Sequence, residues 1–192
     1  HGQCENCHED QVKGFLSGKH GMRLSVELEA IRPAESHLDF QTKARSLRHS
    51  CTACHRAHRF DTEAAATNAC LDCHSDEHSL AFKDSPHFDL WRQELSGELA
   101  EGQGVSCATC HLPREVHKRS GQQAVIVQHN QNFNLRPNEK MIRPVCMNCH
   151  GLRFSIDALA DPRLISSNFK GKPSVHIRSI EMALKREAEG KP

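Results

Sequence analysis

The chain has 192 residues, of which only 37% are hydrophobic. Its mean hydropathy is −0.63, and no apolar run approaches the roughly 20 residues of a membrane-spanning helix. The formal charge of +1 gives no support to nucleic-acid binding, and ten cysteines are out of place in a reduced cytosol unless they hold a metal or a cofactor.

The first element is Cys4-Glu5-Asn6-Cys7-His8. Its pattern, Cys-x-x-Cys-His, recurs at 51–55, 70–74, 107–111 and 146–150 and uses every cysteine: Cys4, Cys7, Cys51, Cys54, Cys70, Cys73, Cys107, Cys110, Cys146 and Cys149. Two cysteines so spaced can form thioethers to the two vinyl groups of one haem, and the adjacent histidine then meets the iron. The expectation is five covalent haems c, with His8, His55, His74, His111 and His150 as proximal ligands. Zinc ribbons would need paired halves, and neither zinc nor disulfides require a histidine after every second cysteine. Five haems leave about 38 residues each, so they must form most of the interior. The fold class expected is mainly α with little regular secondary structure, a single domain over 1–192 organised around a stacked haem chain. Without haem it should not fold.

After the first motif, residues 9 to 16 read as a short helix broken by Gly14 and Gly18, leading to His20. Leu24, Leu28 and Ile31 recur at helical spacing before Pro33 in the motif-free stretch 22–50, where His37 and His49 read as ordinary histidines. His58 follows the second motif, whose haem must neighbour that of the third, and His78 follows the third. Residues 85 to 99 give the clearest helix. Ser85 caps it, Pro86 opens it, His87 stands near its start, and Phe88, Trp91, Leu95 and Leu99 form one apolar stripe suited to packing on haem. His117 follows the fourth motif, and residues 125–127 are the only β-like run, too short to imply a sheet. His129 precedes a polar stretch. The tail predicts a helix over 155–160 ended by Pro162, and a second after Ser174 carrying Ile177, Ile180 and Leu184, with His176 near its start.

A carrier haem needs a second axial ligand. The offsets favour His20, His58, His78, His87 and His117, with His129 and His176 in reserve; Met22, Met141, Met147 and Met182 have no such context. Arg56, Arg59, Arg114, Arg143 and Arg153, beside the motifs, suit haem propionates. Each ferric bis-histidine haem adds a charge of about −1, so the loaded protein is expected near −4 oxidised and about −9 reduced, favouring partners with a basic docking patch. Attachment of such haems occurs outside the cytoplasmic membrane, so a periplasmic or extracellular location after removal of a signal peptide is expected, without membrane insertion by this chain.

The segments CENCHEDQVKGFLSGKH (4–20), CTACHRAHRF (51–60), CLDCHSDEHSLAFKDSPH (70–87), CATCHLPREVH (107–117) and VCMNCHGLRF (145–154) resemble the hydroxylamine oxidoreductase family of multihaem cytochromes c. Eight-haem members carry their catalytic haem in the region corresponding to 22–50, where this chain has no motif. It also has no tyrosine, the residue that oxidising members cross-link to that haem and nitrite-reducing relatives place beside an open iron, and it lacks the lysine-ended motif of some reductases. The resemblance implies the electron-wiring part of the family without its catalytic centre.

The functional expectation is a pentahaem carrier linking a donor, such as a quinol-oxidising membrane cytochrome, to a terminal reductase or extracellular acceptor, and more a carrier than an enzyme. One alternative is a reductase of a small nitrogen or sulfur oxyanion with an open iron at His8 or His150, with His49 or Arg48 as proton donor. Another is a subunit of a conducting filament in which a surplus histidine caps a haem of the next copy.

Overall fold

The computed structural model describes residues 2–59, 61–119 and 121–189; Phe60, the last residue of one family-like segment, lies outside them. The fold is mainly helical, in short pieces, as expected. Pro86–Ser96 forms as predicted: Ser85 accepts a hydrogen bond from the Phe88 amide, Pro86 occupies the first turn, and Gly97 (φ 79°) closes the helix in the left-handed conformation, three residues before the expected end. Trp91 is half-buried, with Gly104 packed close to its backbone.

Gly14 does not break its helix, which runs unbroken over Glu9–Ser17. A side chain at Gly14 would meet Gln128 and the His129 backbone, so the glycine serves close approach. The stretch after it holds only a 3₁₀ turn, Leu24–Val26. Glu27 (φ 60°) ends that turn with the Leu28 amide donating to the Arg23 carbonyl, so the apolar spacing there does not build a longer helix.

The reading of 125–127 as too short for a sheet is corrected. Strands β1 (Arg114–Arg119) and β2 (Gln122–Val127) pair antiparallel, Val116 opposite Val125. β1 is too polar to carry a strand signal; Gly121 (φ 81°), at the two-residue connection, supplies the turn. In the tail a helix begins at Leu152 rather than 155 and ends at Ala160, and Pro162 opens the next one, Pro162–Ser166, which Asp161 caps through the Arg163 and Leu164 amides. The last helix, Arg178–Ala188, lies exposed.

Among the described residues the buried apolar set is Val12, Ala30, Ala44, Phe82, Met141, Ala158, Leu159 and Leu164, far short of the interior a chain of this length needs. Large apolar side chains beside the motifs, among them Met147, Leu152 and Phe154, are exposed instead. No helix of the described residues is long and apolar enough to cross a membrane.

Candidate functional site

All five motifs adopt one local geometry. The amides of His8, His55, His74 and His150 donate to the carbonyl of the first cysteine of their motif, at 2.8–3.0 Å, and Cys107–His111 is itself a helical turn capped by Ser106. One turn places both cysteines on the same side, three residues apart. No two of the ten cysteines are joined in a disulfide. Among the described residues, no group of three or more His, Cys, Asp or Glu is arranged to hold a bare metal ion.

Several histidine pairs gather around the motifs. Two imidazoles on opposite faces of one iron, each bonded through nitrogen at about 2 Å, have ring centroids about 6.3 Å apart. The observed separations are 6.3 Å for His20 and His74, 6.0 Å for His55 and His129, 6.1 Å for His78 and His111, and 6.2 Å for His87 and His150. Each pair joins one motif histidine to one from elsewhere in the chain. The residues present therefore fit the group that the motifs imply.

Supporting contacts orient several of these rings. Because a carbonyl only accepts, the His78 ring must donate from Nδ1 to Ile165 (2.5 Å) and the His129 ring from Nδ1 to Val127 (2.9 Å), which makes Nε2 of each the nitrogen that a metal could bind. Asn168 donates to the His78 carbonyl at 3.0 Å, and Phe169 lies between His78 and His87 with ring centroids 6.3 and 5.8 Å away. Both Asn168 (φ 50°) and Phe169 (φ 61°) take the left-handed conformation, rare for such side chains. Gly18 has no room for a side chain against residues 129–131, and this close approach sets the backbone that carries His129.

Burial, reinforced by neighbouring imidazoles, pushes the pKa values of His20 and His111 down to about 4. It also lowers those of His87 and His129, with His150 and His55 adding to the effect. These rings are neutral at pH 7, the form a metal binds. Burial raises the Cys110 thiol to about 12, with a contribution from Cys146, and the Cys54 thiol to about 11, with contributions from Cys70 and Cys73.

The remaining candidates stand elsewhere. His58 (φ 56°) is exposed beside the second motif, and His117 is exposed on β1 with Nε2 3.4 Å from Glu115; among the described residues neither ring lies against a motif histidine. His176 bonds through Nδ1 to the buried Asp157 at 3.0 Å. The five arginines beside the motifs are exposed, and Arg153 Nε stands 3.8 Å from Asp157.

Two features carried no sequence signal. His49 stacks on His20 at 4.7 Å while its Nδ1 donates to the Ile31 carbonyl. The motif-free stretch also braces the third motif. Phe40 bridges to His74, the Gln41 amide donates to the Cys73 carbonyl, and Lys43 pairs with Asp72 at 2.7 Å. The paired carbon-rich and polar residues at 39–43 gave no pattern that pointed to this contact.

No significant match to a curated protein or to a solved structure was found. Residues 3–69, roughly a third of the chain and including the first two motifs, match the family described as cytochrome c554 and c-prime. With the geometry above, that match supports a multihaem c-type cytochrome with covalently bound haem, acting in electron transfer.

Proposed function

We propose that the chain is a pentahaem electron carrier working outside the cytoplasmic membrane, one haem on each motif. The observation that carries this reading is the set of four histidine pairs at 6.0–6.3 Å, in which His20, His129, His78 and His87 serve as second axial ligands opposite His74, His55, His111 and His150. Bound haem supplies one-electron chemistry at iron, tuned by its axial ligands and their hydrogen bonds. The chain's part would be to hold two imidazoles at each of the four paired sites, which would leave no coordination site there for substrate and little rearrangement on a change of oxidation state. Ile165 and Val127 fix two of those rings through their carbonyls. The exposed arginines beside the motifs are assigned to the propionates. A likeness to the wiring part of the hydroxylamine oxidoreductase family agrees with this, as does the lack of tyrosine. A quinol-oxidising cytochrome is the proposed donor, and a terminal reductase or extracellular acceptor the proposed partner beyond.

Mass spectrometry of the purified protein should show five haems, and EPR of its oxidised form should show low-spin iron at the four paired sites. High-spin iron at any of these four would overturn the pairing.

A second reading is favoured by His8 alone, since among the described residues no second imidazole ring stands against it. An open iron there suits reduction of a small nitrogen or sulfur oxyanion. A Soret shift of the reduced protein under carbon monoxide, retained in a His150→Met variant, would select this reading; no shift would select the fully ligated carrier.

A further inference from the structure

Cysteine side chains of successive motifs meet one another along the chain. The helix that follows the first motif packs at Gly14 and Gly18 on Gln128 and His129, whose ring stands 6.0 Å from His55, and Cys51 lies within electrostatic reach of Cys4, which brings the second motif to the first. Cys54 lies within electrostatic reach of Cys70 and Cys73, and the Cys51–Cys54 turn packs on Ala69–Leu71 at the start of the third motif. The Cys70 and Cys107 thiols are in contact, and the π-helical turn Ala64–Asn68 before the third motif packs on Cys107–His111, placing the buried Thr67 beside Cys107. Cys110 lies within electrostatic reach of Cys146. Between these last two motifs Asn134, fully buried, donates to the Cys110 carbonyl at 3.0 Å, and Asn138 donates to the Leu159 carbonyl at 3.4 Å, tying the fourth motif to the helix that follows the fifth.

Each contact joins a motif to the next in sequence. From this juxtaposition we infer that the five motifs stand in single file in sequence order, with the sites on His8 and His150 as the two ends and those on His74 and His111 in the middle. Cys7, His8, Cys149 and His150 at the ends are exposed, as are Cys54 and His55 of the second motif, whereas Cys70, Cys73 and His74 of the third motif and Cys107, Cys110 and His111 of the fourth are partly buried. Thioethers formed at these sulfurs would place the vinyl edges of the haems on the first and second motifs, and on the third and fourth, on the sides where Cys4 and Cys51, and Cys70 and Cys107, approach. The consequence is a pair of docking ends. One partner reaches the fifth motif and the other the exposed first or second, and the sites on His74 and His111 are reached only through their neighbours.

The inference rests on the five-haem reading above and is separable from it. The test locates the irons of the purified holo-protein by anomalous diffraction at the iron edge, or by cryo-EM, together with its intact mass. The expected result is five irons in which each is nearest to those of the preceding and following motifs, with the irons on His8 and His150 having one such neighbour each. Five haems in another order, for example the iron on His8 nearest to the one on His111 or His150, overturn the single file and leave the carrier reading standing. A mass with fewer than five haems overturns the reading on which the order rests.

Discussion

Gly18 offers a quantitative test of how the chain positions a ligand. Its backbone (φ −88°, ψ 168°) is one that any residue adopts, so replacing it by alanine lowers the freedom of the unfolded chain and on that ground favours folding by about 0.4–1 kcal/mol. A Cβ there would lie 2.5 Å from Gln131 Oε1, 3.0 Å from the His129 carbonyl oxygen and 3.2 Å from Asn130 Cα. Two of those three atoms are backbone, and Gln131 is itself tied by its Nε2 donating to the His129 carbonyl. Such overpacking costs about 1–3 kcal/mol, so Gly18→Ala should be destabilised by about 1–2 kcal/mol net. For a chain of this size that is a fall of about 2–8 °C in melting temperature. Gly14→Ala is the comparison. It gains about 1 kcal/mol of helix propensity against contacts of 2.7 Å with Gln128 Oε1 and 3.1 Å with the His129 amide nitrogen, each longer than its counterpart at Gly18, so it should lose less. The assay is a thermal or urea melt of the two holo-variants, with EPR of the oxidised form. Gly18→Ala should also weaken the low-spin signal of the site on His55, because the His129 backbone moves. A Gly18→Ala protein with the wild-type midpoint and spectrum, or one more stable than Gly14→Ala, would refute the reasoning.

His78→Ala and His87→Ala should each convert one low-spin iron to high spin and create one carbon monoxide site, whereas His37→Ala, at an exposed position, should leave the spectrum unchanged. Asp161 should shape acid stability. Hydrogen bonds from the Ser174 amide and hydroxyl, and from the Leu164 and Arg163 amides, hold its carboxyl down to about 2. Because its folded pKa lies below the unfolded value of about 4, its contribution is complete above pH 4 and is lost as pH falls toward 2; in Asp161→Asn a pH series of urea midpoints should be flatter in that window. Expressed without haem attachment, the chain should show no cooperative melt by circular dichroism, since its own apolar core is so small; a sharp transition in the bare polypeptide would contradict this.

The sequence makes the motif residues readable because cofactor attachment demands a fixed local pattern, and the same holds for the helix at 86–96, whose cap and first proline are local signals. Axial partners are tertiary facts. His20, His78 and His87 stand against motif histidines, but so does His129, whose placement depends on Gly14 and Gly18 admitting a distant strand end. His117 sits on a hairpin whose first strand, Arg-Glu-Val-His-Lys-Arg, has no strand-like composition. His176 has an attractive position near a helix start, yet what fixes its ring is Asp157, nineteen residues earlier and unremarkable in sequence. Gly14 was misleading for a related reason: a glycine inside a helix reads as a weak point when only propensity is considered, and here it is the surface on which another segment rests.

The braced arrangement at 39–43 bears on folding. A stretch without any attachment site closes over the third motif through Phe40, Gln41 and Lys43, joining residues such as Lys43 and Asp72 that stand 29 positions apart in the chain. Closing a loop of that length costs chain entropy, which these few contacts must offset.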